Sequence, residues 1–315
     1  MTPTHPKFSV VIPLYNKADT IISTVRSVLD QSFSEFELVI VDDGSTDDGV
    51  ARISDILDPR IRLIRQPNAG VSNARNTGMK MAEAAHIAFL DGDDLWDSYH
   101  LEELASLISQ YAPCGVYSTG HRILRNGKNY YPSSGVDGDF RGQVKDVFST
   151  FSHGLSLINS STACVKKTAL MAMGGFPEGI RFGEDVYVWL RLGHECGMAH
   201  SARVTATYRQ EMVSREIAED DSELPYYLPY LDLLRLDKSQ SLQTQASVTE
   251  LMRGSIIINA ANMRMIGRSS ALKALYQLKI FTYDFRLRIF WIVLHVTPIS
   301  LLKLARKYRH SDKDS

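Results

Sequence analysis

Three carboxylates and one glycine follow an apolar run in the segment IAFLDGDD, which ends at Asp94. Side chains alternate along an extended chain, so Asp91 and Asp93 are predicted to point to one side and Asp94 to the other. Two like-charged carboxylates on one side either raise a pKa or bind a cation. Mg²⁺ and Mn²⁺ suit such a pair, because these ions often combine one or two carboxylates with substrate phosphates. A solvated acidic turn, or Asp94 capping the next helix, is the alternative interpretation.

A second acidic segment, DDGSTDD, also follows an apolar run. Asp42 and Asp43 are suited to accept hydrogen bonds from N–H or hydroxyl groups of a ligand. Gly44 permits a turn where backbone approaches that ligand. Ser45 or Thr46 is predicted to cap the following helix. A helix cap and a turn, without a ligand, is the alternative explanation of this segment.

A cationic side chain, Arg75, lies one turn inside a helix predicted to begin after Gly70, in the segment NAGVSNARNTG. A helix N-terminus and an arginine together form an anion site, although an ordinary surface arginine is the alternative. The three segments together predict a site for a nucleoside diphosphate. The carboxylate pair would bind a metal ion, the arginine would bind phosphate, and an acid would bind the edge of the base. The chain lacks the G-x-x-x-x-G-K-[ST] and G-x-G-x-x-G motifs, which argues against a P-loop NTPase and against dinucleotide binding.

These polar segments follow strands of a predicted βαβαβαβ pattern. The apolar runs FSVVIP, FELVIVD, IRLIR and HIAFL alternate with helical segments, and the first strand is predicted to end at Pro13. Nearly continuous apolar strands indicate a parallel sheet covered by helices, in which ligands bind beyond the carboxyl ends of the strands. Later segments predict a hairpin around Asn126 and Gly127, a helix after FGED, a strand in RVTATYRQ and helices from about Glu216 onward.

The composition is that of an ordinary globular protein, with 315 residues, 44% hydrophobic and 23% charged. The net charge of -1 argues against a nucleic-acid partner. Three widely spaced cysteines, without metal-ligand spacing, predict inert thiols in a reducing compartment. The N-terminal segment does not have the pattern of a secretory signal. No apolar run reaches the roughly 20 residues that a transmembrane helix needs.

The C-terminal region is basic, with eleven Lys and Arg against three Asp from Arg264 onward. The segment Ile289–Leu302 carries no Asp, Glu, Lys or Arg. It is short for a membrane span but suits a segment lying at a membrane surface. The alternative is a helix packed on the core. The flanking basic residues, which favour anionic lipid, are Arg286, Arg288, Lys303, Arg306, Lys307 and Arg309.

The chain resembles family 2 glycosyltransferases of the GT-A fold. The resemblance rests on five segments that occur in the order expected for that family, SVVIPLYN, DDGSTDD, NAGVSNARNTG, FLDGDD and FGED. The resemblance covers about residues 8–215 and implies an α/β fold, a Rossmann-like mixed sheet flanked by helices. It implies a catalytic domain at 1–215, with a nucleotide-binding half at about 1–110 and an acceptor half at 111–215. Residues 216–315 are then a helical, basic extension that associates with a membrane surface.

The resemblance also implies the activity, which is transfer of one hexosyl group from a nucleotide-sugar, typically a UDP-sugar, to an acceptor hydroxyl with inversion. Pro13, Tyr15 and Asn16 are expected to line the nucleoside pocket. Asp43, with Asp42 beside it, is expected to bind the base.

Further roles are implied for the remaining motif residues. Arg75 is expected to contact the diphosphate or the base, and Asp91 to lie near the ribose. Asp93, with Asp91, is expected to hold Mn²⁺ or Mg²⁺. In FGED, Asp185 matches the general base and Glu184 is expected to position the acceptor, although a pair favouring the helix dipole is the alternative.

One position departs from the family pattern, because Glu211 stands where many relatives carry a histidine, so its role stays open. The Gln-x-x-Arg-Trp motif of processive synthases is missing, which favours addition of single sugars. The resemblance implies a glycan or lipid-linked glycan acceptor, a role in bacterial cell-surface polysaccharide synthesis and a cytoplasmic location, peripheral on the inner face of the membrane. A non-catalytic nucleotide-sugar-binding subunit is the alternative. A nucleotidyltransferase is disfavoured, because PLYNKADT lacks a glycine-rich basic loop.

Overall fold

The structure is a computed structural model that describes residues 6–154, 156–210 and 224–303. Glu211 and the residues from 304 onward, including Arg306, Lys307 and Arg309, lie outside the described part of the chain. The chain divides into two compact units, Met1–Met212 and Val213–Ser315.

The first unit begins with the predicted alternation of strands and helices. Its elements are β1 (Phe8–Leu14), α1 (Ile21–Leu29), β2 (Phe36–Asp42), α2 (Gly49–Ser54), β3 (Ile61–Arg65), α3 (Val71–Met81) and β4 (His86–Phe89). The strands lie in the order β3-β2-β1-β4 and all pair in parallel. Every residue of β1 and β2 is buried, which explains why both strands are nearly continuous apolar runs.

One strand boundary differs from the prediction, because β1 continues through Pro13 to Leu14. Pairing of β1 with β4 ends at Val11 and Phe89. Alternate residues of a strand direct their backbone groups to the same neighbouring strand. Val11 bonds on the side of β4, so the backbone of Pro13 faces that side too, beyond the point where β4 ends. A proline without an N–H is tolerated there, because no ladder bond is lost.

The rest of the first unit adds strands that make the sheet mixed. Its elements are β5 (Leu95–Trp96), α4 (His100–Gln110), β6 (Val116–Arg125), β7 (Lys128–Tyr130), β8 (Arg141–Val144), α5 (Val147–His153), β9 (Ala163–Lys166), α6 (Lys167–Ala172), α7 (Glu184–Cys196) and β10 (Met198–Arg209). The order continues β4-β9-β6-β10-β5, and β9 is antiparallel to both of its neighbours. The predicted hairpin is confirmed, with Asn126 and Gly127 both at positive φ between β6 and β7.

The second unit is helical in its described residues. Its elements are α8 (Tyr227–Leu236), α9 (Leu242–Met265), α10 (Ser269–Tyr276), α11 (Ile280–Tyr283) and α12 (Phe285–Val296). Ser241 caps α9 by accepting a hydrogen bond from the Thr244 N–H at 3.0 Å. Among the described residues, none of the helices combines the length and the apolar character that crossing a bilayer requires.

Candidate active site

A cavity of about 420 Å³ lies at the carboxyl ends of β1, β2 and β4. Its lining residues are Pro13, Leu14, Tyr15, Lys17, Asp43, Asn68, Gly70, Val71, Ala74, Asp91, Gly92 and Asp93. The volume falls within the range of small-molecule sites, and the location is where parallel sheets bind ligands. The structure therefore brings residues from the predicted polar segments into one wall. Asn16, Asp42 and Arg75 do not line the cavity but support it.

The acidic segment after β4 forms a turn rather than an extended chain. The Asp94 N–H donates to the Asp91 carbonyl oxygen at 3.0 Å, so the reasoning from strand alternation was wrong. Asp91 and Asp93 nevertheless line the cavity together. Their carboxylates are partly exposed, at 33% and 30%.

Asp94 is buried, and its partners fix the turn. One carboxylate oxygen accepts a hydrogen bond from the Arg209 N–H at 2.9 Å, and the other accepts from the Ser161 hydroxyl. Burial, followed by the nearby charge of Asp91, raises the pKa of Asp94 well above its ordinary value. Asp94 does not cap α4, since that helix begins after Tyr99. Its role is to hold the turn that presents the two cavity carboxylates.

Arg209, at the end of β10, fastens the same turn to α1. Its Nε donates to the Asp93 carbonyl oxygen, while Nη1 donates to the Ser23 hydroxyl at 3.0 Å and Nη2 to the Thr24 hydroxyl at 3.2 Å. The roles of Arg209 and Ser161 were not predicted from the sequence. The available signal was Asp94, the third acid of the turn, because a buried carboxylate needs hydrogen-bond donors as partners.

The pair of carboxylates in the cavity already faces cations. Lys17 Nζ lies 2.5 Å from Asp93 Oδ2, and Arg75 Nη2 lies 2.8 Å from Asp91 Oδ1. No group of three or more potential ligands among His, Cys, Asp and Glu occurs in the described residues. Two partly exposed carboxylates that attract cations fit a hard divalent ion which takes its other ligands from phosphate and water.

Two acids at the end of β2 hold the loops that form the cavity. Asp42 Oδ1 accepts from the Ser45 N–H at 2.9 Å. Asp43 accepts from the N–H groups of Ala69 at 3.0 Å and Gly70 at 2.8 Å, and from Gln66 Nε2 at 2.7 Å. A carboxylate offers about four lone-pair sites, so Asp43 keeps acceptor capacity for a ligand.

Asn16 connects the loop after β1 with the turn after β2. Its Oδ1 accepts from the Thr46 N–H at 2.8 Å, and its own N–H donates to the Ser45 hydroxyl at 3.1 Å. The predicted capping of α2 by Ser45 or Thr46 was therefore wrong, since Asp48 occupies the N-cap position without a side-chain bond. Ser45 and Thr46 instead bond to Asn16, which adopts a positive φ of 49°.

Arg75 lies at the junction of two carboxylates. Its side chain is 4% exposed, Nη1 lies 3.3 Å from Glu184 Oε1, and Cζ lies over the Phe176 ring, 5.4 Å from its centre. Burial opposes its charge, but Asp91 and Glu184 outweigh that effect and raise the pKa of Arg75. In this structure, its described ionic contacts are with carboxylates.

The acidic pair lies at the start of α7. Gly183, at φ +77°, precedes the helix, and Glu184 and Asp185 occupy its first turn. Burial and then repulsion from Asp185 raise the pKa of Glu184, partly offset by Arg75. Asp185 Oδ1 accepts from the Val186 N–H at 2.7 Å. The bonds of Arg75 thus connect the cavity carboxylate Asp91 with the acidic pair.

Structures of similar architecture include those of the Staphylococcus aureus protein TarS. A crystal structure of TarS residues 1–349 in complex with UDP-GlcNAc covers 91% of this chain and 79% of that chain, with a TM-score of 0.66 and 19% sequence identity. A structure of the same segment described without a ligand covers 97% and 92%, with a TM-score of 0.64. This similarity confirms the mixed α/β sheet of the GT-A fold.

Curated proteins with similar sequences are named as glycosyltransferases. An uncharacterized glycosyltransferase of Rickettsia conorii is 34% identical over 189 residues, which are 59% of this chain and 30% of that protein. A UDP-Glc:α-D-GlcNAc-diphosphoundecaprenol β-1,3-glucosyltransferase of Escherichia coli, WfaP, is 31% identical over 208 residues, which are 64% of this chain and 75% of the relative. The chain spans less than a third of the length of the Rickettsia relatives that it matches.

The family comparison agrees with the motifs. The profile described as Glycosyl transferase family 2 matches residues 9–171, just over half of the chain, and this match includes the predicted cavity residues. The chain belongs to glycosyl transferase family 2.

Proposed function

We propose that this protein is an inverting, metal-dependent glycosyltransferase that moves one sugar from a nucleotide-sugar, most simply a UDP-sugar, to an acceptor hydroxyl. The observation that carries the proposal is the position of Arg75, which bonds both to Asp91 in the cavity wall and to Glu184 beside Asp185. One buried cation thus links a nucleotide-sized cavity to an acidic pair. Sugar transfer needs both parts, a donor site and a base close to it.

The donor is proposed to bind in the cavity. Pro13 and Tyr15 line the nucleoside end, Asp43 accepts from the base, and Asp91 lies near the ribose. Asn16 and Asp42 hold the surrounding loops. TarS has been crystallised with UDP-GlcNAc and with UDP, which supports a uridine nucleotide.

Asp93, together with Asp91, is proposed to hold Mn²⁺ or Mg²⁺. When bound, such an ion supplies positive charge near the leaving diphosphate. Lys17 adds a second positive charge on the same wall, at 2.5 Å from Asp93. The ammonium of Lys17 stabilises the negative charge that develops on the diphosphate.

Asp185 is proposed as the general base. Its carboxylate takes the proton of the acceptor hydroxyl while the hydroxyl oxygen bonds to the anomeric carbon, and the bond from that carbon to the diphosphate oxygen breaks. The electron pair leaves with the nucleotide diphosphate, and one displacement inverts the configuration. Glu184, held by Arg75, positions the acceptor.

The assay for this proposal is release of nucleotide diphosphate from UDP-sugars with acceptors and Mn²⁺ present. Asp185→Asn is expected to bind the donor but lose transfer, while Asp93→Ala loses metal-dependent nucleotide binding as well. The alternative is a non-catalytic nucleotide-sugar-binding subunit. Donor binding without nucleotide release, across a broad acceptor panel, supports that alternative.

The acceptor is proposed to be a glycan or a lipid-linked glycan of the bacterial cell surface. Two Escherichia coli relatives are named for acceptors carried on diphosphoundecaprenol, and a Bacillus subtilis relative for teichuronic acid biosynthesis. With such an acceptor, the enzyme is proposed to act at the cytoplasmic face of a membrane. The first unit is then the catalytic domain, within about residues 1–215, and residues 216–315 form the membrane-associating region. Recovery of the full chain from cells in the membrane pellet at low salt tests this location.

A further inference from the structure

An exposed apolar stripe runs along α12 in the second unit. The exposed fractions are 65% for Phe285, 55% for Ile289, 65% for Ile292, 52% for Val293 and 75% for Val296. Single exposed apolar residues are common, but five on one short helix form a contiguous patch.

The stripe occupies one face of the helix. Successive residues of an α-helix are rotated by about 100°, which places the five side chains within an arc of about 100°. Leu287 and Leu294, on the opposite face, are only 1% and 2% exposed. The helix is therefore apolar on two opposite faces, although only one of them is buried in the structure.

Basic residues border the stripe. By the same rotation, Arg286 lies at one edge and Arg288 at the other, and both are exposed. Arg288 Nε donates to the Phe281 carbonyl oxygen at 2.6 Å, which holds its charge near the start of the helix. The neighbouring acid, Asp284, is buried and caps the helix by accepting from the Arg286 N–H at 3.0 Å.

The surrounding unit is also basic. Residues 224–303 contain ten Lys and Arg against four Asp and Glu. The α12 stripe is therefore an apolar face with a cationic residue at each edge. It complements a surface in which an apolar layer lies beneath a layer of negative charge. An anionic lipid bilayer has this arrangement, because acyl chains lie beneath phosphate groups.

We propose that the exposed stripe of α12 inserts into the surface of an anionic membrane, with the helix axis parallel to the bilayer and Arg286 and Arg288 at the level of the lipid phosphates. This inference deepens the membrane location in the proposed function by naming the face and the lipid charge. Twelve residues extend only about 18 Å, well short of a bilayer span, so the helix lies along the interface.

The test is sedimentation of the full chain with phosphatidylcholine vesicles, with and without phosphatidylglycerol. Wild-type protein is expected to bind only the anionic vesicles, and Ile292→Glu to weaken that binding by about tenfold or more. Leu242→Glu is the matched control, because Leu242 is 84% exposed on α9 and receives the same charge. Equal loss in both variants would show an effect of net charge and overturn the proposal.

A second substitution at the same position separates insertion from simple attraction. Ile292→Lys adds a positive charge, so it strengthens binding if attraction alone operates and weakens binding if the stripe inserts. We expect weaker binding. Arg286→Glu is expected to lower the affinity by more than about fivefold, since each basic residue near the surface contributes about that factor.

The remaining outcomes are also decisive. If wild-type protein is a dimer in analytical ultracentrifugation, Ile292→Glu is a monomer and neither binds vesicles, the stripe is an interface between copies and the proposal is wrong. Nucleotide binding of each variant is measured separately. Vesicle binding without any sugar transfer would contradict the proposed enzyme activity and support the proposed membrane surface. Transfer to soluble acceptors without vesicle binding would support the activity and contradict the membrane surface.

Discussion

Arg75 is the residue through which the two parts of the candidate site are connected. Its guanidinium is nearly fully buried and bonds to Asp91 at 2.8 Å and to Glu184 at 3.3 Å. A planar guanidinium reaches two carboxylates in different directions, whereas an ammonium is a single point charge. The position therefore needs the shape of arginine as well as its charge.

Arg75→Lys is expected to lower the free energy of unfolding by about 2 kcal/mol, because a buried carboxylate loses its partner. The nucleotide release rate is expected to fall by at least tenfold. Urea unfolding and the release assay measure the two effects. Arg52→Lys is the control, since that exposed pair with Asp48 contributes at most about 1 kcal/mol. Equal stability of the two variants would contradict the buried-bridge account.

Lys17 offers a prediction on metal binding. Its ammonium lies at Asp93 Oδ2, so it competes with a divalent ion for that oxygen. Lys17→Ala is expected to bind Mn²⁺ about two- to fivefold more tightly in the absence of nucleotide, which corresponds to the loss of a partly exposed ion pair. Isothermal titration calorimetry measures the affinity. Lys80→Ala, on the exposed end of α3, is expected to leave it unchanged, and weaker binding by the Lys17 variant would exclude competition.

The carboxylates of the site could be predicted from the sequence, but their supporting partners could not. Asp91 and Asp93 stand together in one short motif. The partners of Asp94, by contrast, are separated from it by 67 positions for Ser161 and 115 positions for Arg209. Such distant contacts depend on the path of the whole sheet, which local spacing does not determine.

Among the elements, the turn after β2 is the one that most depends on a glycine. Gly44 has a φ of +76°, and a Cβ added there would lie 2.8 Å from the Asn68 backbone nitrogen. The turn joins Asp43, in the cavity wall, to the loop that precedes α3. A change at Gly44 therefore disturbs both the backbone and the cavity.

Gly44→Ala is expected to lower the free energy of unfolding by about 2 kcal/mol or more, since about 1 kcal/mol comes from the left-handed conformation and the rest from the clash. UDP binding is expected to weaken as well. Gly127→Ala is a close control, because its φ is +72° and nothing lies within 4 Å of the added Cβ. Equal destabilisation of the two variants, with unchanged UDP binding, would show that the clash has no effect.

Element order was predictable where each strand is a long apolar run, as in β1 and β2. The prediction missed β9, a strand of four residues that lies antiparallel between β4 and β6. A segment this short carries too little periodicity to identify it. The boundary at Pro13 was wrong for a different reason, since tolerance of proline depends on where the neighbouring strand ends.

At the scale of the whole molecule, buried histidines that stay neutral lie in β6, in β10 and at the start of α4. His100 Nδ1 lies 2.6 Å from the Thr205 hydroxyl, and His200 Nδ1 lies 2.8 Å from the Ser118 hydroxyl. Burial lowers the pKa of His100 and of His200 to about 3, and that of His121 to about 4. His121 further lowers the pKa of His200, because two protonated rings would repel each other, whereas Asp97 partly opposes the shift at His100.

These histidines predict that the protein loses stability in mild acid. An unfolded histidine has a pKa of about 6.5, so below that pH the unfolded chain binds protons that the folded protein does not. The contribution of these histidines to the free energy of unfolding is expected to be constant above about pH 7 and to fall by about 1 kcal/mol per buried histidine for each pH unit below 6.5. Carboxylates whose pKa is lowered by ion pairs, such as Asp97, contribute only at lower pH. Urea unfolding at pH 7.5 and pH 5.5 measures the change.

His121→Gln is expected to reduce this loss of free energy by about 1 kcal/mol at pH 5.5, because one of the titrating groups is removed. His153→Gln, at an exposed position, is the control and is expected to retain the full loss. Equal slopes in the two variants would mean that His121 takes up a proton in the folded sheet as readily as in the unfolded chain. His121 would then contribute nothing to the acid sensitivity, which would rest on His100 and His200.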